Sequence, residues 1–189
     1  RAGLERLQAT VYRRAQPGDR RAIPAGGGLL QRSSLKYTRM KVAVASDHAG
    51  FPLKEGIIGV VRAMGHEAID LGTCSTDPVD YPDTARDIAK AVHSGRAERA
   101  VLLCGSGIGA CVAVTKFRGV RGGTCHDTFS AHQSVEDDDA NVICLGARVV
   151  GASLAAELTR TFLNAKFSGA ERHARRVKKI QEIEAEGFR

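Results

Sequence analysis

Residues 100–117 read AVLLCGSGIGACVAVTKF. An apolar run ends in Cys104, the turn Gly105-Ser106-Gly107-Ile108-Gly109 follows at once, and a helix-like stretch begins. The first backbone N–H groups of a helix have no intrahelical partner and carry partial positive charge, so such a turn suits an anion. A thiol beside it can fall from its usual pKa of about 8.5 towards neutrality, giving a thiolate able to act as nucleophile or base. The plain alternative for Cys104 is a small buried hydrophobe. The glycine spacing is GxGxG, after the third strand-like run rather than the first. No later acidic residue completes a dinucleotide fingerprint, and GxxxxGK[ST] does not occur. The expected occupant is a small oxyanion rather than NAD or ATP.

Further polar residues fall at strand ends. His48 follows Asp47 in SDHAGFPLK, where packing and phosphate contact both remain open. His126 and Asp127 end the fourth strand-like run. Tyr81, between Asp80 and Pro82, reads as a lid or as a turn residue. The five cysteines form no CxxC pair, so a metal site is not expected, and reduced, mostly buried thiols are. Cys111, Cys125 and Cys144 read as core, and Cys74 in GTCSTDPVDYPD has no assigned role.

The elements that must position these groups alternate. Short β-branched runs at 41–46, 66–72, 100–105, 121–126 and 141–146 are separated by helical patterns near 51–64, 84–94, 107–117, 128–137 and 152–165. Apolar strands alternating with helices predict an α/β fold: a doubly wound, Rossmann-like, five-stranded parallel sheet with helices on both faces. Ligands in such folds sit at the carboxyl ends of the strands, where the polar residues above cluster. A last helix is predicted over ERHARRVKKIQEIEAE (171–186), with Ile180 and Ile183 as a narrow apolar stripe. Arg172 and Arg176 are four apart and share one face. That face is either a solvated charged surface or a paired phosphate clamp, since guanidinium forks match phosphate oxygens.

A chain of 189 residues suits one domain with a full core. Hydrophobic content of 43% with 26% charged residues is that of a soluble globular protein. No run approaches the roughly 20 apolar residues that cross a bilayer. The net charge of +7 is local: residues 1–39 hold nine Arg or Lys against Glu5 and Asp19, whereas residues 40–189 hold 19 basic and 19 acidic residues. The folded part, 40–189, is therefore no general polyanion binder, and no nucleic-acid partner is expected for it. Residues 1–39 read as a disordered basic extension upstream of Met40, as an organelle transit peptide, or as a nucleic-acid arm. The expected location is cytoplasmic, with organelle import open if the extension is a transit peptide.

The segments SDHAGFPLK, GTCSTDPVDYP, LLCGSGIGACVAVTK, CHDTFSAHQSVEDDDANVICLGARVVG and ERHARRV, in this order, resemble the ribose-5-phosphate isomerase B family, which includes the bacterial galactose-6-phosphate isomerase subunits. The resemblance covers nearly all of residues 40–189 and none of 1–39. It implies reversible aldose–ketose isomerisation of a phosphorylated sugar through an enediolate, without metal or organic cofactor. Ribose 5-phosphate and ribulose 5-phosphate are the expected pair. A hexose 6-phosphate of allose or galactose type, or phosphosugar binding without catalysis, are the alternatives.

By position, the resemblance makes Cys104 the base that moves the C2 proton. It gives Ser106 and the amides from Gly105 through Gly107 and Ile108 to Gly109 the developing enediolate oxygen, a role worth several kcal/mol in related sites. His48, Arg172 and Arg176 match phosphate-binding positions, Arg148 is a further candidate, and Asp47 and Tyr81 match residues lining the sugar. The family's dimers or tetramers imply a homo-oligomer whose terminal helix completes the neighbour's site. Two positions depart from the pattern. Asp137 and Asp138 stand where many members carry a ring-opening histidine and an asparagine, and His126 is expected to take over ring opening. Thr115 replaces a usual asparagine, which bears on substrate choice more than on reaction type.

Overall fold

The computed structural model describes residues 39–187. Apart from Arg39, the basic extension expected at residues 1–39 lies outside the described residues.

Five strands form one parallel sheet in the order β2-β1-β3-β5-β4. These are β1 (Lys41–Ser46), β2 (Glu67–Asp70), β3 (Arg99–Cys104), β4 (Gly122–Thr124) and β5 (Val142–Gly146). The helices are α1 (Phe51–Ala63), α2 (Tyr81–His93), α3 (Ile108–Val114), α4 (Thr128–Asp138), α5 (Ala152–Asn164) and α6 (Glu171–Glu186). The doubly wound fold is thus as the residue pattern predicts.

Strand side chains alternate between the two faces, and both faces are covered, so the central strands are apolar throughout. Val42 and Val44, Val101 and Leu103, and Ile143 and Leu145 pack against α1, α4 and α5, with Phe162 wholly buried among them. Ala43, Ala45, Leu102 and Cys144 face the other way, towards Ala85 and Ile88 of α2 and Ala110 and Val114 of α3. Chain direction reverses between β1 and β3. From β1 the chain passes through α1 to β2 on one side, and from β3 it passes through α3 to β4 on the other. Adjacent strands that lead away from each other leave a crevice at their carboxyl ends, where open α/β sheets receive ligands.

Some boundaries differ from expectation. Helix α2 starts at Tyr81 rather than near 84, because Pro82 sits in its first turn, where a missing N–H costs nothing. Helix α3 ends at Val114 rather than near 117: Thr115 caps it, its hydroxyl bonding back to the Cys111 carbonyl at 2.8 Å. Strand β4 keeps only three residues at the sheet edge. The stripe on α6 is also displaced. It buries His173 and Val177, while Ile180 and Ile183 stay 37% and 53% exposed. Among the described residues, no helix is long and apolar enough to cross a membrane.

Candidate active site

The crevice between β1 and β3 opens into a cavity of about 350 Å³. Asp47, His48 and Ala49 enter from the end of β1, and Cys104, Gly105, Ser106 and Gly109 from the end of β3. Tyr81 enters from the start of α2, and Arg148 and Val149 from the turn after β5. Four segments distant in sequence therefore meet at the carboxyl edge of the sheet.

Each group is held by its local backbone. The Asp47 N–H donates to the Leu103 carbonyl at 3.1 Å, which ties the end of β1 to β3. Its carboxylate accepts from the Gly50 N–H at 2.8 Å as α1 begins. His48 Nδ1 accepts from the Val79 N–H at 3.2 Å, leaving Nε2 as the ring's donor. The turn after β3 needs a left-handed residue at Gly107, with φ of 80°, before α3 starts. Ser106 is exposed, its hydroxyl oxygen accepting from the Ile108 N–H at 3.3 Å. Arg148 donates its backbone N–H to the Gly105 carbonyl at 2.9 Å. Its guanidinium lies over Gly105 at the cavity wall.

Cys104 is 7% exposed and lines this cavity rather than the closed core alone. The thiol pKa is not lowered, contrary to the expectation from the adjoining helix start. Burial raises it most, and the Asp47 carboxylate raises it further by accepting the thiol's hydrogen bond and by its charge. The N–H groups of Gly107 and Gly105 act in the opposite direction and are outweighed. Burial and the neighbouring carboxylate thus favour the neutral thiol at Cys104. Among the other core cysteines, Cys125 and Cys144 are buried, and Cys111 is half-buried. A hydrogen bond from Cys144 holds the Cys111 pKa down to about 6.

Of the residues that the sequence singles out, Asp47, His48, Tyr81, Cys104, Gly105, Ser106, Gly109 and Arg148 line this one cavity, and Ala49 and Val149 join them. Neither carries a reactive group, and only the fold brings them to the wall. The amide turn at Gly107 is buried beneath it, and Ile108 points outward, 55% exposed. His126, after the edge strand β4, is not part of the wall, and its Nε2 is buried without a partner among the described residues. Asp137 and Asp138 end α4, and Arg172 and Arg176 are exposed on α6; none of the four lines this cavity. Asp138 instead borders a larger groove of about 420 Å³ between α6 and β4, flanked by Ile180 and Ile183 and containing no cysteine or histidine. Among the described residues, no cluster of three or more His, Cys, Asp or Glu could hold a metal ion.

A switch-point crevice floored by backbone amides and walled by a thiol–carboxylate pair defines an α/β protein built to receive a small polar ligand. A sequence model of the Ribose/Galactose Isomerase family matches residues 42–180. The ribose-5-phosphate isomerase B of Escherichia coli is 40% identical over 76% of this chain and 96% of its own length. The D-erythrulose-4-phosphate isomerase of Pectobacterium atrosepticum is 38% identical over 75% and 93%. The solved ribose-5-phosphate isomerase B of Clostridium thermocellum superposes with a TM-score of 0.76 at 44% identity, covering 78% of this chain and 99% of that one. The chain belongs to the ribose/galactose isomerase family.

Proposed function

We propose that the chain interconverts an aldose phosphate and its ketose by proton transfer through an enediolate, with ribose 5-phosphate and ribulose 5-phosphate as the substrate pair. The observation that carries this reading is the Cys104 thiol, which shares with the Asp47 carboxylate a cavity bordered by the Gly105–Gly109 turn. Asp47 takes the thiol proton, and the sulfur removes the hydrogen from C2. The electron pair moves onto the C1 carbonyl oxygen, which Ser106 and the turn amides stabilise as charge develops. The sulfur then returns the proton to C1, a hydroxyl proton passes from O2 to O1 to form the ketose, and Asp47 gives its proton back to the sulfur, which restores the starting thiol. A positioned base of this kind contributes roughly 10²–10⁴-fold.

His48 and Arg148 supply the donors for anionic oxygen in the cavity. Arg172 and Arg176 lie outside their own chain's cavity, and we read them as completing the site of a second copy.

A second reading is favoured by Asp137, whose carboxylate is engaged by His173 and Gln133. With Asp137 engaged and His126 outside the wall, His48 is the one imidazole lining the cavity among the described residues. A tetrose phosphorylated on O4 has no free hydroxyl to close a furanose ring, so its isomerisation needs no ring-opening group. The relative named for D-erythrulose 4-phosphate is of this substrate class.

A coupled assay on ribose 5-phosphate, allose 6-phosphate and D-erythrulose 4-phosphate, with wild type beside Cys104→Ala, tests both readings. Turnover of ribose 5-phosphate, lost at least about a hundredfold in the variant, is the expected result. Activity that survives Cys104→Ala removes Cys104 as the base. Turnover confined to the four-carbon sugar selects the second reading.

A further inference from the structure

Helix α6 opens with a buried histidine among exposed neighbours. His173 is 4% exposed, whereas Arg172, Ala174, Arg175 and Arg176 face solvent. Both of its ring nitrogens are engaged. Nδ1 lies 2.7 Å from Ser168 Oγ and 3.3 Å from Asp137 Oδ1, and Nε2 accepts from Arg172 Nε at 2.8 Å. A guanidinium N–H can only donate, so Nε2 carries the lone pair and the ring proton sits on Nδ1, facing Asp137 and Ser168. The second Asp137 oxygen accepts from Gln133 Nε2 at 3.1 Å, which fixes the carboxylate on the last turn of α4. The imidazole therefore bridges a carboxylate of one helix to a guanidinium of another.

The bridge uses only the Nε–H of Arg172. Its Nη1 and Nη2 groups make no hydrogen bond among the described residues and remain as a fork. Arg176, one turn further along the same face, has no hydrogen-bonded support among the described residues. A long exposed arginine ordinarily loses rotamer freedom when it grips a ligand, and a side chain ordered beforehand loses less.

We propose that His173 is a positioning residue that, anchored by Asp137, holds Arg172 from behind so that its Nη fork is preset for two phosphate oxygens. The inference rests on the reading of Arg172 as a phosphate-binding group. It also gives Asp137 a role in this chain. The carboxylate is the anchor of the bridge rather than a substitute ring-opening acid.

The test is a double-mutant cycle between His173→Leu and Arg172→Ala, which isolates their coupling. It is read as KM for ribose 5-phosphate, or for D-erythrulose 4-phosphate if that sugar is the one turned over, with kcat followed alongside. Loss of one hydrogen bond to a charged group sets the expected scale at about tenfold. Arg172→Ala raises KM about tenfold, and His173→Leu raises it nearly as much with kcat within about twofold. The double variant is no worse than Arg172→Ala alone, whereas His173→Leu and Arg176→Ala multiply. His173→Gln, whose amide can accept from Arg172 and donate to Asp137, recovers most of the wild-type KM. Imidazole ¹⁵N shifts, which do not depend on turnover, show His173 protonated on Nδ1 in wild type, with that preference lost in Arg172→Ala. Should His173→Leu not fold, Asp137→Asn carries the same cycle. An unchanged KM in His173→Leu, or a full multiplication with Arg172→Ala, overturns the inference and leaves the phosphate reading standing. An unchanged KM in Arg172→Ala instead removes the phosphate reading, and the positioning role falls with it.

Discussion

Asp47 and Cys104 each stand one residue beyond Ser46 and Leu103, the last pair of the β1–β3 ladder, and both line the same cavity, where the Asp47 carboxylate helps to raise the pKa of the Cys104 thiol. The two groups proposed to react are thus placed by the register of the sheet. Burial and Asp47 together hold the sulfur towards its protonated form, which is why the proposed reaction makes the carboxylate the proton acceptor.

Asp47→Asn separates ionisation from catalysis. The amide keeps the shape but removes the negative charge, so the Cys104 thiolate forms at lower pH than in wild type. Thiolate absorbance, followed against pH in a Cys111→Ser background, reads the shift without the Cys111 signal. Turnover nevertheless falls about a hundredfold, because the acceptor for the thiol proton is gone. An unmoved or higher midpoint would contradict the assigned hydrogen bond. The same raised pKa fixes the sign of its linkage to stability. The folded chain holds the Cys104 proton to higher pH than the unfolded one, so this contribution is complete below the unfolded value of about 9 and is lost as pH rises through the folded value.

Strands β1, β3 and β5 were legible because parallel strands covered on both faces must be apolar throughout, as in VLLC and VICLG. Strand β4 was barely so, since Gly122 and Gly123 supply two of its three residues and carry no apolar signal. The location of Cys104 followed from the strand–glycine–helix pattern, but its ionisation did not, because Asp47 arrives from another strand. His173 reads as one more polar residue in a charged helix start. Its burial depends on Asp137 of α4 and Ser168 before α6, partners that no local pattern announces. Arg148 was named through the resemblance alone, and it is the turn after β5 that carries it to the wall.

Gly146 ends β5 directly behind the anion turn. A Cβ there would stand 2.6 Å from the carbonyl carbon and oxygen of Ser106. These are backbone atoms, so no rotamer change relieves the contact, and the turn has to move. Gly146→Ala is expected to cost about 1–3 kcal/mol in urea unfolding, the usual range for overpacking. A displacement of the turn is also expected to lower kcat/KM about a hundredfold. Full activity with unchanged stability would show that the turn tolerates the shift and that its amides do not act on the reacting oxygen.

The proposed sharing of sites makes a quantitative demand. Ile108 and Val112, four apart on α3, are 55% and 56% exposed beside the catalytic turn, an apolar pair suited to cover by a second copy. In a two-fold dimer with shared sites, one chain supplies Cys104 and its partner supplies Arg172 and Arg176. Assayed at substrate far below KM, a chain carrying Cys104→Ala and a chain carrying both Arg172→Ala and Arg176→Ala each run at about one hundredth of the wild-type rate alone. Unfolded and refolded together in equal amounts, half of the dimers are mixed, and each mixed dimer holds one intact site of two. The mixture then regains about a quarter of the wild-type rate, against about one hundredth for either parent. A mixture that sediments as mixed dimers yet gains nothing over its parents would mean that Arg172 and Arg176 serve the site of their own chain, and that sites are not shared.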